Sequence, residues 1–267
     1  MLNSFFRYIF FGHRDGREGV IPFLPRLVGW LLALLTVALV FTFAFYQLQY
    51  GWNWGAVLTY RHKFLLGWLM TVAISATALG SSLLIGLAAA LARRCPFLAV
   101  RSLGTLYVEL IRGTPLLVQI LVFFYVVADA FGISNRYLVG VLTLSLFAGA
   151  YISEIIRAGI ESVGESQLES ARAIGLTRWQ TYRHVVFPQV LRRLLPPLAG
   201  QFASIIKDSS LLSIIAISEF TLNAQEVNSF TYSTLESYLP LAVGYLLLTL
   251  PISLASRFLE RKYQYAT

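Results

Sequence analysis

Long apolar runs occur several times along the chain, with lengths near that of a helix that crosses a membrane. The first, Leu27–Tyr46, holds no charge, and as a helix it would rise about 30 Å, the thickness of a hydrocarbon core. A second uncharged run covers Phe64–Ala92. Four further runs lie at about 114–128, 138–156, 198–217 and 238–256. Strands of a membrane β-barrel alternate over about ten residues, so these runs predict an all-α, polytopic membrane bundle of about six transmembrane helices.

The composition agrees with this prediction. Hydrophobic residues make up 57% of the 267 and charged residues 13%, with a mean hydropathy of +0.68, whereas soluble domains carry about 25% charged residues. The single cysteine, Cys95, excludes an intramolecular disulfide framework. The three histidines, His13, His62 and His184, are scattered across loops. We therefore predict neither a metal site nor a catalytic residue in this chain.

Lysine and arginine are concentrated in four of the segments outside the apolar runs. Seventeen of the 21 cations lie before the first run, between the second and third, between the fourth and fifth, or after the sixth. Cytoplasmic loops are rich in these residues, so both termini are predicted to be cytoplasmic. A cytoplasmic tail, residues 1–26, would then precede a transmembrane domain, residues 27–267. The net charge of +8 is mostly a topology signal, and no nucleic-acid partner is predicted.

The longest cytoplasmic loop, at about 161–197, has the sequence pattern of two short helices. Ser166 with Glu169 and Thr177 with Gln180 each fit a capping box, and Gly175 fits the left-handed residue that ends a helix. A helix-turn-helix for DNA would look similar locally, but the flanking membrane runs disfavour it. A docking surface for a cytoplasmic partner is favoured over a purely structural loop, which stays open as the alternative.

Three ordered stretches of sequence resemble the permeases of ABC importers. Glu169-Ser170-Ala171, then Gly175 and Pro188, follow the spacing of the E-A-A…G…I-x-L-P loop, with Ser170, Val185 and Phe187 as departures from its letters. Two further stretches, Glu109–Tyr125 and Gly149–Leu176, narrow the resemblance to the polar amino acid importers, whose substrates include histidine, glutamine and arginine. Ile206–Phe220 is a weaker match.

The resemblance implies that this loop is a coupling helix that seats in a cytoplasmic ATPase. The positions that match the motif are then the docking residues: Glu169, Ser170, Ala171, Gly175 and Pro188. The implied partners are a second permease chain, identical or homologous, two ATP-binding subunits and an extracytoplasmic amino-acid-binding protein, all at a prokaryotic plasma (inner) membrane with its lipid. No lysine follows a glycine as a phosphate-binding loop requires. We therefore expect no cofactor in this chain, with ATP-Mg bound by the partner ATPase.

Three ionisable residues lie in the apolar runs, where charge is expensive at about 2.5–3.5 kcal/mol near a helix centre. Lys207 and Asp208 fall in the fifth run and Glu154 near the inner end of the fourth. As neighbours, Lys207 and Asp208 lie about 100° apart on a helix and do not share a face. Glu154, Lys207 and Asp208 are candidates for a substrate path. For Lys207 and Asp208 the alternative is an internal pair that locks helices together, and Glu154 could pair with Arg157, three residues away on the same helix face.

Together these patterns predict a permease subunit of an ATP-driven importer that forms a translocation path for polar or charged amino acids. ATP hydrolysis is expected in a separate subunit, so the chain itself is not expected to be an enzyme. The alternative is a self-sufficient secondary transporter of a small polar solute. That class predicts an inverted internal repeat and coupling-ion carboxylates at the midplane, and no clear repeat is visible.

Overall fold

The computed structural model describes residues 23–47 and 50–264, and within these ranges it contains helices and connecting segments but no strand. The chain divides into two units, one ending at Trp52 and the other beginning at Asn53. In the first unit, α1 (Phe23–Gln47) is a single 25-residue helix. Residues 1–22 of the predicted cytoplasmic tail lie outside the described residues. The boundary predicted at 26/27 therefore stays a prediction.

The second unit is a bundle of helices of very different lengths. A π-helix at Phe123–Ala128 continues α5, another at Tyr182–Val186 joins α8 to α9, and a 3-10 helix at Ser209–Ile215 follows α9. In chain order the α-helices are α2 (Trp54–Thr59), α3 (Arg61–Ala92), α4 (Leu98–Gly113), α5 (Leu116–Val122), α6 (Arg136–Glu161), α7 (Glu165–Ala173), α8 (Arg178–Thr181), α9 (Phe187–Asp208), α10 (Phe220–Thr231) and α11 (Thr234–Gln264).

Four described helices are long and apolar enough to cross a membrane: α1, α3, α6 and α11. The pair α4 and α5 would add a fifth span, but it is bent by 110° between them. The run predicted at 198–217 falls on the second half of α9 and the 3-10 helix. Because the first half of α9 carries Arg192 and Arg193, this helix is too polar to be included among the candidate spans. The all-α polytopic class is confirmed, with four or five candidate spans where the pattern predicts about six.

The bend between α4 and α5 has a local cause. Thr114 precedes a proline and is extended, with φ −123° and ψ 146°, as expected for a residue that proline keeps out of helical angles. The break exposes carbonyl groups, and the buried Gln119 amide compensates by donating to the carbonyls of Ile111 (2.7 Å) and Thr114 (3.1 Å). The bend is therefore held by side-chain hydrogen bonds as well as by Pro115.

The main core lies where α3 packs against α6. Ile74 and Ala78 of α3 are buried with Leu144 and Ala148 of α6, and Ile205 of α9 belongs to the same cluster. Small residues allow a close approach here. A Cβ on Gly86 would lie 2.6 Å from Ile152 Cγ2 and 2.9 Å from the Gly149 carbonyl oxygen. One of these two contacts is with backbone, so it is not relieved by a side-chain rotation.

Replacing Gly86 with alanine is expected to destabilise the protein by about 1–3 kcal/mol, because the added methyl overpacks the α3–α6 contact. Gly80→Ala in the same helix is the matched control, since a Cβ there meets nothing within 4 Å. Thermal unfolding of the purified variants in detergent measures both effects. An unchanged unfolding temperature for Gly86→Ala, or an equal drop for Gly80→Ala, would contradict the close packing described here.

A buried carboxylate, that of Glu219, joins α3, α10 and α11. Glu219 is fully buried at the start of α10, where it accepts hydrogen bonds from two backbone N–H groups of the first turn (2.8 and 2.9 Å). It also accepts from the Tyr245 hydroxyl of α11 (2.9 Å). Thr71 of α3 accepts from the Phe220 N–H (3.1 Å). This capping interaction fixes α10 against α3 and α11.

The segment that follows the loop after α6 differs from the pattern predicted for it. Proline residues at 188, 196 and 197 suggest breaks after a short second helix, but α8, the π-helix and α9 are continuous from Arg178 to Asp208. Pro188 lies inside this continuous helix, two residues after the π-helix ends at Val186. Pro196 and Pro197 lie inside the helix, as prolines often do in membrane helices. The loop therefore leads directly into a long helix.

Candidate functional site

The loop between α6 and α9 is ordered by a helix end that depends on glycine. Gly175 has φ +78°, and its N–H donates to the Arg172 carbonyl (3.0 Å). The next residue, Leu176, donates to the Ala171 carbonyl (3.0 Å). These two bonds form a Schellman motif, which closes α7 and reverses the chain. The predicted left-handed glycine is confirmed.

The two predicted capping boxes have different outcomes. Thr177 caps α8, accepting from the Gln180 N–H while the Gln180 side chain accepts from the Thr177 N–H. Ser166 does not cap α7. The helix begins one residue before it, at Glu165, with Gly164 at the N-cap and no side-chain cap hydrogen bond. The first capping box is therefore wrong, because the helix starts where Ser166 already lies in its first turn.

The positions that match the coupling motif differ in exposure. Glu169, Ser170 and Gly175 are exposed and Pro188 is half-buried. Ala171 is only 3% exposed, so its methyl group faces the interior of this chain. Nearby, Val163, Val186 and Val190 form a small apolar cluster. The loop is thus folded on a small apolar cluster, and Glu169, Ser170 and Gly175 are exposed on its surface.

The same loop exposes bulky apolar side chains that the sequence reasoning did not single out. Ile174 is 76% and Trp179 71% exposed, and Tyr182 and Phe187 are exposed as well. Large apolar groups on a polar loop outside the apolar runs are typical of an interaction surface. All four lie within twelve residues of Gly175, and this position is the signal that could have identified them.

A polar cavity lies between α6 and α9. It has a volume of about 240 Å³ and is lined by five half-buried residues, Phe147, Tyr151, Gln201, Ser204 and Asp208. Within the described part of the chain, the Asp208 carboxylate makes no ion pair and no hydrogen bond. A carboxylate, an amide, a hydroxyl and two aromatic rings, with centroids 5.0 Å apart, can bind a small solute that carries a positive charge and hydrogen-bonding groups.

The predicted separation of Lys207 from Asp208 is confirmed. Asp208 lines the cavity, whereas Lys207 is exposed and does not line it. Gln201 and Ser204 precede Asp208 by seven and four residues, a spacing that places the three on one helix face. This spacing was available in the sequence. The two aromatic residues come from another helix, so their part in the cavity could be seen only in the fold.

Glu154 forms the ion pair with Arg157 that the sequence left open as an alternative, and other arginines contact it as well. Its side chain is 16% exposed, with Oε2 2.8 Å from Arg157 Nη2 and 3.7 Å from Arg112 Nη1. The other carboxylate oxygen pairs with Arg93 of α3. Glu154 lies one turn from Tyr151 on the same face of α6, and the Arg112 guanidinium stacks 5.5 Å from the Tyr151 ring. An arginine-rich ion-pair network therefore adjoins the cavity.

No group of three or more His, Cys, Asp or Glu residues that could hold a metal ion occurs within residues 23–47 and 50–264. The groups in the loop and in the cavity are suited to binding. The loop exposes apolar side chains, and the cavity contains a carboxylate without an ion pair in the described chain.

Comparison with known proteins identifies the class. The family described as binding-protein-dependent transport system inner membrane component matches residues 82–265. The glutamine transport system permease protein GlnP of Escherichia coli (strain K12) is 36% identical over 79% of this chain and 97% of its own length. The probable glutamine ABC transporter permease protein GlnM of Bacillus subtilis (strain 168) is 36% identical over 74% of this chain and 92% of its own length.

A solved structure shows the same fold. The crystal structure of an amino acid ABC transporter with histidines contains a chain that matches with a TM-score of 0.74 and 33% identity, covering 80% of this chain and 100% of that one. This protein therefore belongs to the family of binding-protein-dependent transport system inner membrane components. It is the permease subunit of an ABC importer, an integral membrane protein that is not itself catalytic. A self-sufficient secondary transporter is not favoured.

Proposed function

We propose that this permease carries polar or charged amino acids, through a path that includes the cavity between α6 and α9. The observation that carries the proposal is the unpaired Asp208 carboxylate beside Gln201 and Ser204. An α-ammonium group or a cationic side chain is its natural partner. Two relatives are named for glutamine transport, and the solved structure described above is of an amino acid ABC transporter with histidines. Both support the same substrate class.

Glu154 is proposed as part of the same path because it follows Tyr151 by one turn on the face of α6 that lines the cavity. Its ion pairs with Arg93 and Arg157 support a structural contribution, which the sequence left open as the alternative. Lys207 is exposed, and in this proposal it borders the path without lining the cavity.

The assembly that we propose has two permease chains, identical or homologous, two ATP-binding subunits and an extracytoplasmic amino-acid-binding protein. All five lining residues of the cavity are half-buried in this chain, so a second permease chain would complete its enclosure. ATP-Mg is bound by the ATP-binding subunits in this scheme. The arginine-rich segments at 93–112 and 157–193 support a cytoplasmic position for the loop and for both termini.

In this proposal the loop docks on the ATP-binding subunit through Glu169, Ser170 and Gly175, together with the exposed side chains of Ile174 and Trp179. Ala171 and Pro188 contribute by shaping the loop, since they are buried and half-buried. Exposed apolar groups at the centre of a small surface supply most of the binding energy in protein interfaces.

Copurification tests this function. The full chain is expected to retain an ATP-binding subunit encoded beside its gene, and Trp179→Glu or Ile174→Glu should reduce the retained subunit at least tenfold by placing a charge in the interface. Phe131→Glu is the matched control, because Phe131 is 77% exposed and lies outside the loop. Equal retention by Trp179→Glu and the control, or amino-acid uptake that needs no ATP, would contradict the proposal.

A further inference from the structure

A large cavity with a basic end opens where the last turns of α3 and α6 meet α4. Its volume is about 970 Å³, and its apolar wall includes Ala99, Leu103 and Leu106 of α4. Leu103 is 66% exposed and Leu106 55%, so this wall continues onto an open apolar face of the helix. The cavity is separate from the one that contains Asp208.

Four arginines line this cavity, and two of them are already neutralised. Arg93 and Arg157 pair with Glu154, and Arg157 also lies 2.5 Å from Glu161. Arg94 and Arg101, by contrast, are exposed and form no ion pair among the residues that the structure describes. Arg94 lies in the connection between α3 and α4, and Arg101 lies near the start of α4.

The other charged residues near Arg94 and Arg101 leave a positive balance at this end of the cavity. Glu109 also lines the cavity, but it follows Arg101 by eight residues, about 12 Å along the helix. On the other side of Arg94 lies a second cavity of about 600 Å³, lined by Arg172 and Arg178 and by no acidic residue. An anion beside Arg94 and Arg101 would therefore face more positive than negative charge.

We infer that this cavity binds an anionic phospholipid of the cytoplasmic leaflet. The phosphate of the headgroup would lie between Arg94 and Arg101, and the acyl chains would follow Leu103 and Leu106 along α4. Basic pockets between membrane helices on the cytoplasmic side have the chemistry that such headgroups require. A free phosphate ion would make no use of the apolar wall, and a nucleic acid would leave that wall in water.

Native mass spectrometry of the full purified chain in neutral detergent tests the inference without any partner subunit. The chain is titrated with phosphatidylglycerol and phosphatidylcholine of identical acyl chains. The wild type is expected to prefer phosphatidylglycerol at least tenfold. Each cation at a membrane surface contributes roughly fivefold, so Arg94→Gln with Arg101→Gln should lower phosphatidylglycerol affinity roughly thirtyfold. Phosphatidylcholine affinity should fall much less, because its choline ammonium group already balances the phosphate.

Two control variants separate the site from general charge and from misfolding. Arg257→Gln with Arg261→Gln removes the same charge from two exposed C-terminal positions that do not line the cavity, and should keep the preference. Arg94→Lys with Arg101→Lys keeps both charges and should retain most of the affinity. A wild type without preference, an equal loss in the C-terminal variant, or displacement of the lipid by millimolar inorganic phosphate would overturn the inference.

Discussion

Replacing Gly175 with proline is expected to abolish amino-acid uptake while the protein still inserts into the membrane. The residue has φ +78°, whereas proline fixes φ near −65°. Proline also lacks the N–H that donates to the Arg172 carbonyl, so the Schellman motif that ends α7 is lost. Uptake by the reconstituted importer should fall at least tenfold, measured with labelled amino acids.

Two further variants show whether the loss of uptake comes from the backbone conformation of this turn. Gly175→Ala has open space for its methyl group and should cost only about 1–2 kcal/mol, through the left-handed conformation alone. Gly164→Ala is the matched control in the same loop, since its φ is −62° and a Cβ there is 3.7 Å from the nearest atom. Normal uptake by Gly175→Pro would contradict the coupling role of the loop.

Replacing Asp208 with asparagine is expected to lower uptake of the transported amino acid roughly tenfold to a hundredfold. The substitution keeps the shape of the side chain and removes the charge, and a hydrogen bond to a charged group contributes about 1.5–3 kcal/mol. Because the Asp208 carboxylate has no ion-pair partner in the described chain, the thermal stability of the variant should stay unchanged or rise. Uptake with a panel of labelled amino acids and an unfolding curve measure the two effects.

Neighbouring charges provide the controls for this experiment. Lys207→Gln alters an exposed residue outside the cavity and should leave uptake within about twofold of the wild type. Glu154→Gln should lower the unfolding temperature, because it leaves Arg93 and Arg157 without their carboxylate. If Asp208→Asn transports normally, or if its stability falls as far as that of Glu154→Gln, Asp208 is a structural residue and not part of the path.

The apolar runs predict most of the helices, because a membrane requires long uncharged segments. They do not predict how helices join. The prolines at 196 and 197 indicate a break, yet α9 passes through both, since neighbouring helices and a hydrophobic surrounding stabilise the helical form around missing hydrogen bonds. The burial of Glu219 likewise needed the fold, because its hydrogen-bond partner Tyr245 is 26 residues further along the chain.

The candidate site was predictable where one residue determines the local backbone. Gly175 could be assigned from its spacing because few residues other than glycine adopt a left-handed conformation at a helix end. The burial of Ala171 and the exposure of Trp179 were not predictable, because they depend on how α7 packs against α8 and against the π-helix. Asp208 stood out as a charge in an apolar run, but Tyr151 joins it only through the packing of α6 on α9.

The unbroken helix from Arg178 to Asp208 joins the loop around Gly175 to the polar cavity. It is about 45 Å long at 1.5 Å per residue, and Trp179 lies at one end and Asp208 at the other. A body of this kind acts as a lever: a tilt at the end near Trp179 displaces the Asp208 carboxylate at the far end in the same motion. The two adjacent prolines remove backbone hydrogen bonds midway, and they mark the point at which this lever would flex.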